Sequence, residues 1–313
     1  MLNDLKGPIL VTGASGFIGA NLVRRLVALR PDVHVLLRDE AKLWRIQDIL
    51  PKLNAHRVDL TDRKAVFECV RDVKPRTIFH LAVYGAYPFQ KDVAKIEATA
   101  LHGTMNLLDA AEESGFDAFI NVGSSSEYGF KNAPMKETDV LEPNSHYAVF
   151  KAAATNYCAY EAASKELPVI TLRPFSVYGP YEEPTRLVPT LLDKLLQGTL
   201  PPLASPDIAR DYTYVDDFVD ACLAAAAHPE FGGQVFNVGS GRQTTLKEIV
   251  DLAIKLTGAE VTPQWGTMGA RIWDQKVWVA DVSKSKEKLG WVSRTDLESG
   301  LLKTIAWLKA NPK

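Results

Sequence analysis

Eight residues near the start of the chain, Thr12-Gly13-Ala14-Ser15-Gly16-Phe17-Ile18-Gly19, constrain its fold more than any other stretch. They follow a β-rich run, Ile9-Leu10-Val11, and lead into a segment where Ile18, Leu22, Leu26 and Leu29 recur at helical spacing. Glycine at every third position lets the chain turn tightly and brings backbone N–H groups close to a pyrophosphate, while the N-terminus of the following helix adds partial positive charge. A glycine triplet alone describes an ordinary strand-to-helix turn. Between a strand and an amphipathic helix it predicts a dinucleotide site made by Gly13, Ser15, Gly16, Phe17, Ile18 and Gly19.

The same alternation continues through Val33–Leu37, Thr77–Leu81, Phe119–Val122 and Val169–Leu172. Nearly unbroken apolar runs separated by helical segments specify a parallel sheet covered on both faces, the doubly wound α/β (Rossmann) architecture. After Pro174 prolines interrupt the chain and the pattern turns irregular, so residues 1–174 are expected to form the dinucleotide-binding domain, with a return around 211–239, and 175–313 a smaller substrate-binding lobe. Ala221 to Ala227 reads as a packed helix.

The second strand ends in Arg38-Asp39. An arginine there can pair with the 2′-phosphate of NADP, which points to NADP over NAD; the alternative is a solvated Arg38 with Asp39 holding the ribose hydroxyls of NAD. Lys42 and Arg45 either add positive charge or solvate a helix face. A net charge of −2 gives no general attraction for nucleic acid or an anionic membrane, so an anionic ligand needs local cations. The three cysteines lack metal-site spacing, no leader-like pattern opens the chain and no apolar run is long enough to span a bilayer. A cytoplasmic protein without metal, nucleic-acid partner or membrane anchor is expected.

Tyr147 and Lys151 stand one helical turn apart in Ser145–Lys151 and so share a face. A free phenol ionises near pH ~10, and a neighbouring ammonium favours the phenolate. Tyr-x-x-x-Lys is also a common incidental pair. It gains weight from Asn121–Gly129, where Ser124, Ser125 and Ser126 follow a strand and reach the ligand-binding edge of the sheet.

In this combination the chain resembles an extended short-chain dehydrogenase/reductase of the NAD-dependent epimerase/dehydratase family. The resemblance rests on Gly13, Gly16 and Gly19, Asp59-Leu60, His80-Leu81-Ala82, Ser124 to Gly129, Tyr147 with Lys151, Leu172 to Pro180, Arg210 to Asp217 and Asn237-Val238-Gly239. It implies that Asp59 and Leu60 flank the adenine and that Leu81, Ala82 and Val83 line the middle of the cofactor. Pro174 and Val177 would meet the nicotinamide, and Lys151 would hold its ribose as well as assist Tyr147, the acid/base. Ser125 is implied as the active-site hydroxyl, with Ser124 the alternative. Ser124, Ser125, Glu127 and Ser176 would meet the sugar nucleotide, and Arg186, Arg210 and Arg271 its phosphates, each arginine competing with a structural ion pair. His80 and His146 take no catalytic role in this reading.

Two departures bear on the reaction. Family dehydratases use an Asp-Glu pair after the active-site threonine; here Ser126 takes the Asp-like position although Glu127 remains, which disfavours dehydration. Ser176 stands where many epimerases carry Asn. Arg38 and the deoxysugar-synthase-like Gly179–Pro184 stretch favour an NADPH-dependent reductase of a nucleotide-activated 4-keto-sugar. The alternatives are an NAD-dependent 4-epimerase and, from another class, a catalytically silent NADP-binding regulator. The resemblance also implies a homodimer through residues 97–114 and 147–165, unless Leu101, Leu108, Tyr157 and Tyr160 are covered by the chain's own core.

Overall fold

The computed structural model describes residues 5–269, 271 and 274–311. Its strands are β1 (Ile9–Thr12), β2 (Val33–Leu37), β3 (Asn54–Arg57), β4 (Thr77–His80), β5 (Ala118–Val122), β6 (Val169–Pro174), β7 (Ser176–Tyr178), β8 (Ala209–Arg210), β9 (Tyr212–Tyr214), β10 (Val235–Val238) and β11 (Thr244–Thr245). Seven form one sheet in the order β10-β6-β5-β4-β1-β2-β3. Every pairing in it is parallel. The build direction reverses at β1, flanked by β2 and β4, and a ligand crevice opens at the carboxyl ends on either side of such a reversal. β7–β9 and β8–β11 make two small ribbons beside the sheet.

The helices are α1 (Phe17–Val27), α2 (Arg63–Val73), α3 (Val93–Glu97), α4 (Gly103–Ser114), α5 (His146–Lys165), α6 (Leu187–Leu196), α7 (Val215–Ala226), α8 (Leu246–Thr257), α9 (Ser283–Leu289) and α10 (Leu297–Ala310). Strand alternation divides the core. Ile9 and Val11 of β1 pack with Leu22 and Leu26 of α1 and Phe218 of α7 on one face. Leu10 meets Val66 and Val70 of α2 and Leu107 of α4 on the other. Each fully buried leucine stabilises the sandwich by about 1.5–3 kcal/mol. A third cluster joins α6, α8 and α10 around Leu192, Ile249 and Leu301.

Asp62 and Ser145 cap α2 and α5, accepting from the backbone N–H groups of Ala65 and Ala148. The structure departs from the sequence pattern in two places. Leu29 lies beyond the end of α1 and is 56% exposed, so the apolar stripe stops at Leu26. β3 is invisible to the pattern because Asn54-Ala55-His56-Arg57 is an edge strand with none of its residues buried, and an unburied strand carries no apolar signal. Among the described residues no helix is long and apolar enough to cross a membrane.

Candidate active site

The glycine turn sits at the end of β1, and its glycines are required by close backbone approach. Gly13 has φ +70°, and a Cβ there would lie 2.6 Å from the Leu81 carbonyl carbon. At Gly19 a Cβ would come within 2.1 Å of the Gly13 oxygen. Gly16 donates to Gly13 O at 2.9 Å and then serves as N-cap of α1 without a side-chain cap. The first-turn N–H groups of Phe17, Ile18 and Gly19 are thus left to an outside acceptor, a fit for a pyrophosphate. Ser15 lies half-buried in the same turn.

A hydrogen-bonded chain ties this turn to β4. Thr104 spends its hydroxyl proton on Ala100 O (2.7 Å), so it accepts from His80 Nε2 (2.9 Å). His80 Nδ1 must then accept from Thr12 Oγ1 (2.7 Å), which itself accepts from the Ala82 N–H (3.2 Å). Burial, with help from the Lys151 charge, pushes His80 down to about 3, in keeping with this neutral tautomer. Its place is structural, while His146 is exposed. Leu81 is buried, Ala82 half-buried and Val83 39% exposed, stepping outward from the end of β4.

Arg38, Asp39, Glu40, Arg57, Val58 and Asp59 line a cavity of about 290 Å³ at the ends of β2 and β3. Arg57, hidden from the sequence reading together with β3, donates to Arg38 O at 3.0 Å and brings a second guanidinium to that cavity. Asp59 accepts from Thr61 N–H and hydroxyl at 2.9 and 2.8 Å, and Leu60 is buried with its carbonyl held by Asn106. Lys42 is exposed. Arg45 does not join the cavity. It is buried and donates to Tyr181 O (2.7 Å), Ser15 O (3.4 Å) and Glu183 (3.1 Å), clamping the glycine turn to the 181–183 segment.

At the end of β5 a 3₁₀ turn spans Ser125–Tyr128. Ser124 caps it, accepting from Ser126 N–H at 3.1 Å, and Glu127 reaches back to Ser124 N–H at 2.7 Å. Tyr147 is half-buried in the first turn of α5, and the Ser124 side chain acts on its phenol, lowering its pKa. Ser125 faces elsewhere, accepting from Trp278 Nε1 at 3.3 Å. Of the two candidate hydroxyls, that of Ser124 acts on the phenol, while that of Ser125 is engaged by Trp278. Glu127 is corrected as a substrate ligand. It is fully buried, with Thr155 Oγ1 at 3.1 Å and Arg173 Nε at 2.8 Å on its carboxylate.

Lys151 is buried one turn beyond Tyr147 and donates to Val122 O at 2.7 Å. Burial pushes its ammonium down to about 8, Glu127 opposing the shift. Burial likewise pushes the Tyr147 phenol up to about 12, reinforced by the Glu127 charge, while the Ser124 side chain and the Arg186 charge draw it back.

Arg186, at the N-cap of α6, is a charge felt by Tyr87, Tyr147, Tyr212, Glu182 and Arg210. Arg210, on β8, stacks over Trp278 at 5.3 Å and donates to Ala209 O at 2.6 Å. Arg271 is exposed, its guanidinium 3.0 Å from Met268 Sδ and its N–H held by Asp274 at 2.8 Å. Trp273, beside it, lies outside the described residues.

Pro174 and Ser176 are half-buried after β6, with Ser176 N–H donating to Asp211 O at 2.9 Å, and Val177 packs on the sheet's core. Asp211 is fully buried and accepts from Ser240 N–H and hydroxyl, Gly241 N–H and Ala280 N–H at 2.6–3.1 Å. It seams β8–β9 to the segment after β10. Tyr87, Glu182, Tyr212 and Trp278 escape sequence reasoning. Nothing in their local pattern distinguishes a cleft wall from a loop.

The family model described as "NAD dependent epimerase/dehydratase family" matches residues 9–239. A UDP-glucose 4-epimerase of Mycolicibacterium smegmatis is 31% identical, covering 96% of this chain and 98% of its own. A dTDP-glucose 4,6-dehydratase of Streptomyces griseus is 30% identical, covering 96% and 93%. Among solved structures, a Thermus thermophilus UDP-glucose 4-epimerase in complex with NAD aligns with TM-score 0.84 and 26% identity over 97% of this chain and 99% of that one.

Proposed function

Because the chain belongs to the NAD-dependent epimerase/dehydratase family, we propose that it reduces a nucleotide-activated 4-keto-sugar with NADPH, Tyr147 giving the proton. The observation that carries this reading is the placement of Tyr147 and Lys151 on successive turns of α5, with Lys151 held on Val122 O at the carboxyl end of β5, where Ser124 follows. The dinucleotide, when bound, supplies the hydride. The chain's own residues do the rest. The Gly13–Gly19 turn, with Ser15, Phe17 and Ile18, holds the pyrophosphate through backbone N–H groups. Asp59, Leu60, Leu81, Ala82, Val83, Pro174 and Val177 line the dinucleotide's path, and Lys151 holds its second ribose. Ser124 orients the sugar carbonyl, and Tyr147 passes its phenolic proton to that oxygen, with Arg186 easing the negative charge left on the phenol. Ser176, Arg186 and Arg210 face the diphosphate.

Arg38 and Arg57, converging on one cavity, support NADPH, because two guanidinium groups favour a 2′-phosphate and a plain ribose needs neither. The burial of Glu127 in its pair with Arg173 argues against dehydration, since no acid of that loop is left for the substrate. A second reading, an NAD-dependent 4-epimerase, is favoured by the relatives named UDP-glucose 4-epimerase, one of them solved with NAD. A homodimer through α4 and α5 is supported by Tyr160, 68% exposed, and Val149, 43% exposed; Leu108 and Tyr157 are taken up by the chain's own core.

The test pairs coenzyme and substrate. NADPH oxidation is expected with UDP- or dTDP-4-keto-6-deoxyglucose, and Arg38→Ser should lower the NADPH/NADH preference about tenfold or more. Interconversion of UDP-glucose and UDP-galactose with NAD and no net oxidation would replace the reductase by the epimerase. A preference untouched by Arg38→Ser would remove the argument for NADPH.

A further inference from the structure

The turn from Gly179 to Pro184 carries one side chain that the chemistry above leaves unused. Glu182 has its side chain only 7% exposed, and its Oε2 atom is buried without a hydrogen-bond partner. Its other oxygen lies 3.9 Å from Arg186 Nε, beyond hydrogen-bond reach. Buried polar atoms are almost always satisfied, and an orphan at the wall of a ligand cleft is most simply met by the ligand.

Glu182 lies beside Arg186, whose charge also bears on the Tyr147 phenol. The titratable groups that act on it or feel it are Tyr87, Tyr178, Glu183, Arg186 and Tyr212. Of these, Arg186 and Tyr87 act on Tyr147 as well.

Its backbone is held in place at some cost. Tyr181, immediately before it, has φ +67°, a left-handed conformation that is strained for a tyrosine. Asn21 of α1 fixes Pro180 O at 3.0 Å, and Arg45 fixes Tyr181 O at 2.7 Å. The Tyr181 ring is gripped by Trp307 at 4.9 Å and by the Arg24 guanidinium at 4.4 Å. Contacts from several separate elements thus impose the strained turn that presents the carboxyl.

We propose that Glu182 binds a hydroxyl of the sugar ring and is a specificity-determining residue of this site, an inference that rests on the nucleotide-sugar reading above. Burial pushes the carboxyl up to about 8, with Arg186 and the Gly179 backbone opposing and Glu183 reinforcing, so at neutral pH it is largely protonated. A protonated carboxyl both donates and accepts, matching a hydroxyl, which does the same; above that pH it can only accept.

Calorimetric titration of the dinucleotide-loaded full chain tests this with UDP, UDP-glucose, dTDP and dTDP-glucose as probes. The wild type is expected to bind a sugar nucleotide more tightly than its bare nucleotide. Glu182→Leu should weaken the sugar nucleotide at least about tenfold while leaving the bare nucleotide within about twofold. Glu182→Gln, which keeps a donor and an acceptor, should retain most of the affinity and shrink the change that the wild type shows between pH ~7 and pH ~9, leaving the part that Lys151 contributes. Should Glu182→Leu keep the sugar's contribution, or lose affinity equally for nucleotide and sugar nucleotide, Glu182 is a structural partner of Arg186 and the inference fails by itself. If the wild type binds dinucleotide and none of the four probes, the substrate reading fails and the inference falls with it.

Discussion

Eight consecutive residues make the glycine turn proposed to hold the pyrophosphate, whereas the proposed sugar end collects Tyr87, Ser124, Tyr147, Glu182, Arg186 and Arg210 from separate segments. The first is made of backbone. Its glycines matter for the atoms they lack, and its ligand meets N–H groups whose direction is set by the start of α1. The second is made of side chains, each aimed by a different loop and tuned by its neighbours' charge. One end is therefore broken by adding a methyl group, the other by removing a hydroxyl or a carboxyl.

Three substitutions probe that contrast. Tyr147→Phe takes away a proton donor and nothing of the backbone, so kcat should fall about a thousandfold with dinucleotide affinity unchanged. Retention of a tenth of the rate would show that the phenol is not the acid. Gly19→Val drives a Cβ toward an oxygen 2.1 Å away. Dinucleotide affinity, read by quenching of tryptophan fluorescence, should drop about a hundredfold, and urea unfolding should show a loss of about 1–3 kcal/mol. Normal binding by this variant would mean that the pyrophosphate lies elsewhere. The finest probe separates adjacent hydroxyls. Ser124→Ala should lower kcat roughly ten- to a hundredfold, and Ser125→Ala, which loses only the Trp278 contact, less than about threefold. Equal losses would return the role to Ser125.

The two ends are also unequally legible in the sequence. The glycine turn can be read because its reasons are local, a strand before, a helix after and small residues between. Tyr147 and Lys151 can be read because a helix fixes what lies four residues apart. Ser125 and Ser124 cannot be told apart that way, because a 3₁₀ turn rotates each side chain by a third of a revolution and no pattern in three serines fixes that phase. Glu127 looks available until its partner, Arg173, arrives from a strand 46 residues later. Arg57 is hidden on a polar edge strand. Glu182 gives no signal, since what sets it apart is an unsatisfied oxygen, a property of the packed chain alone.

One guanidinium links the two ends. Arg45 touches Ser15 in the glycine turn and Tyr181 beside Glu182, with no flexible segment between the two contacts. An arginine whose position suggests a charge for some phosphate works instead as a strut, so that shortening its side chain loosens the glycine turn and the 181–183 segment together.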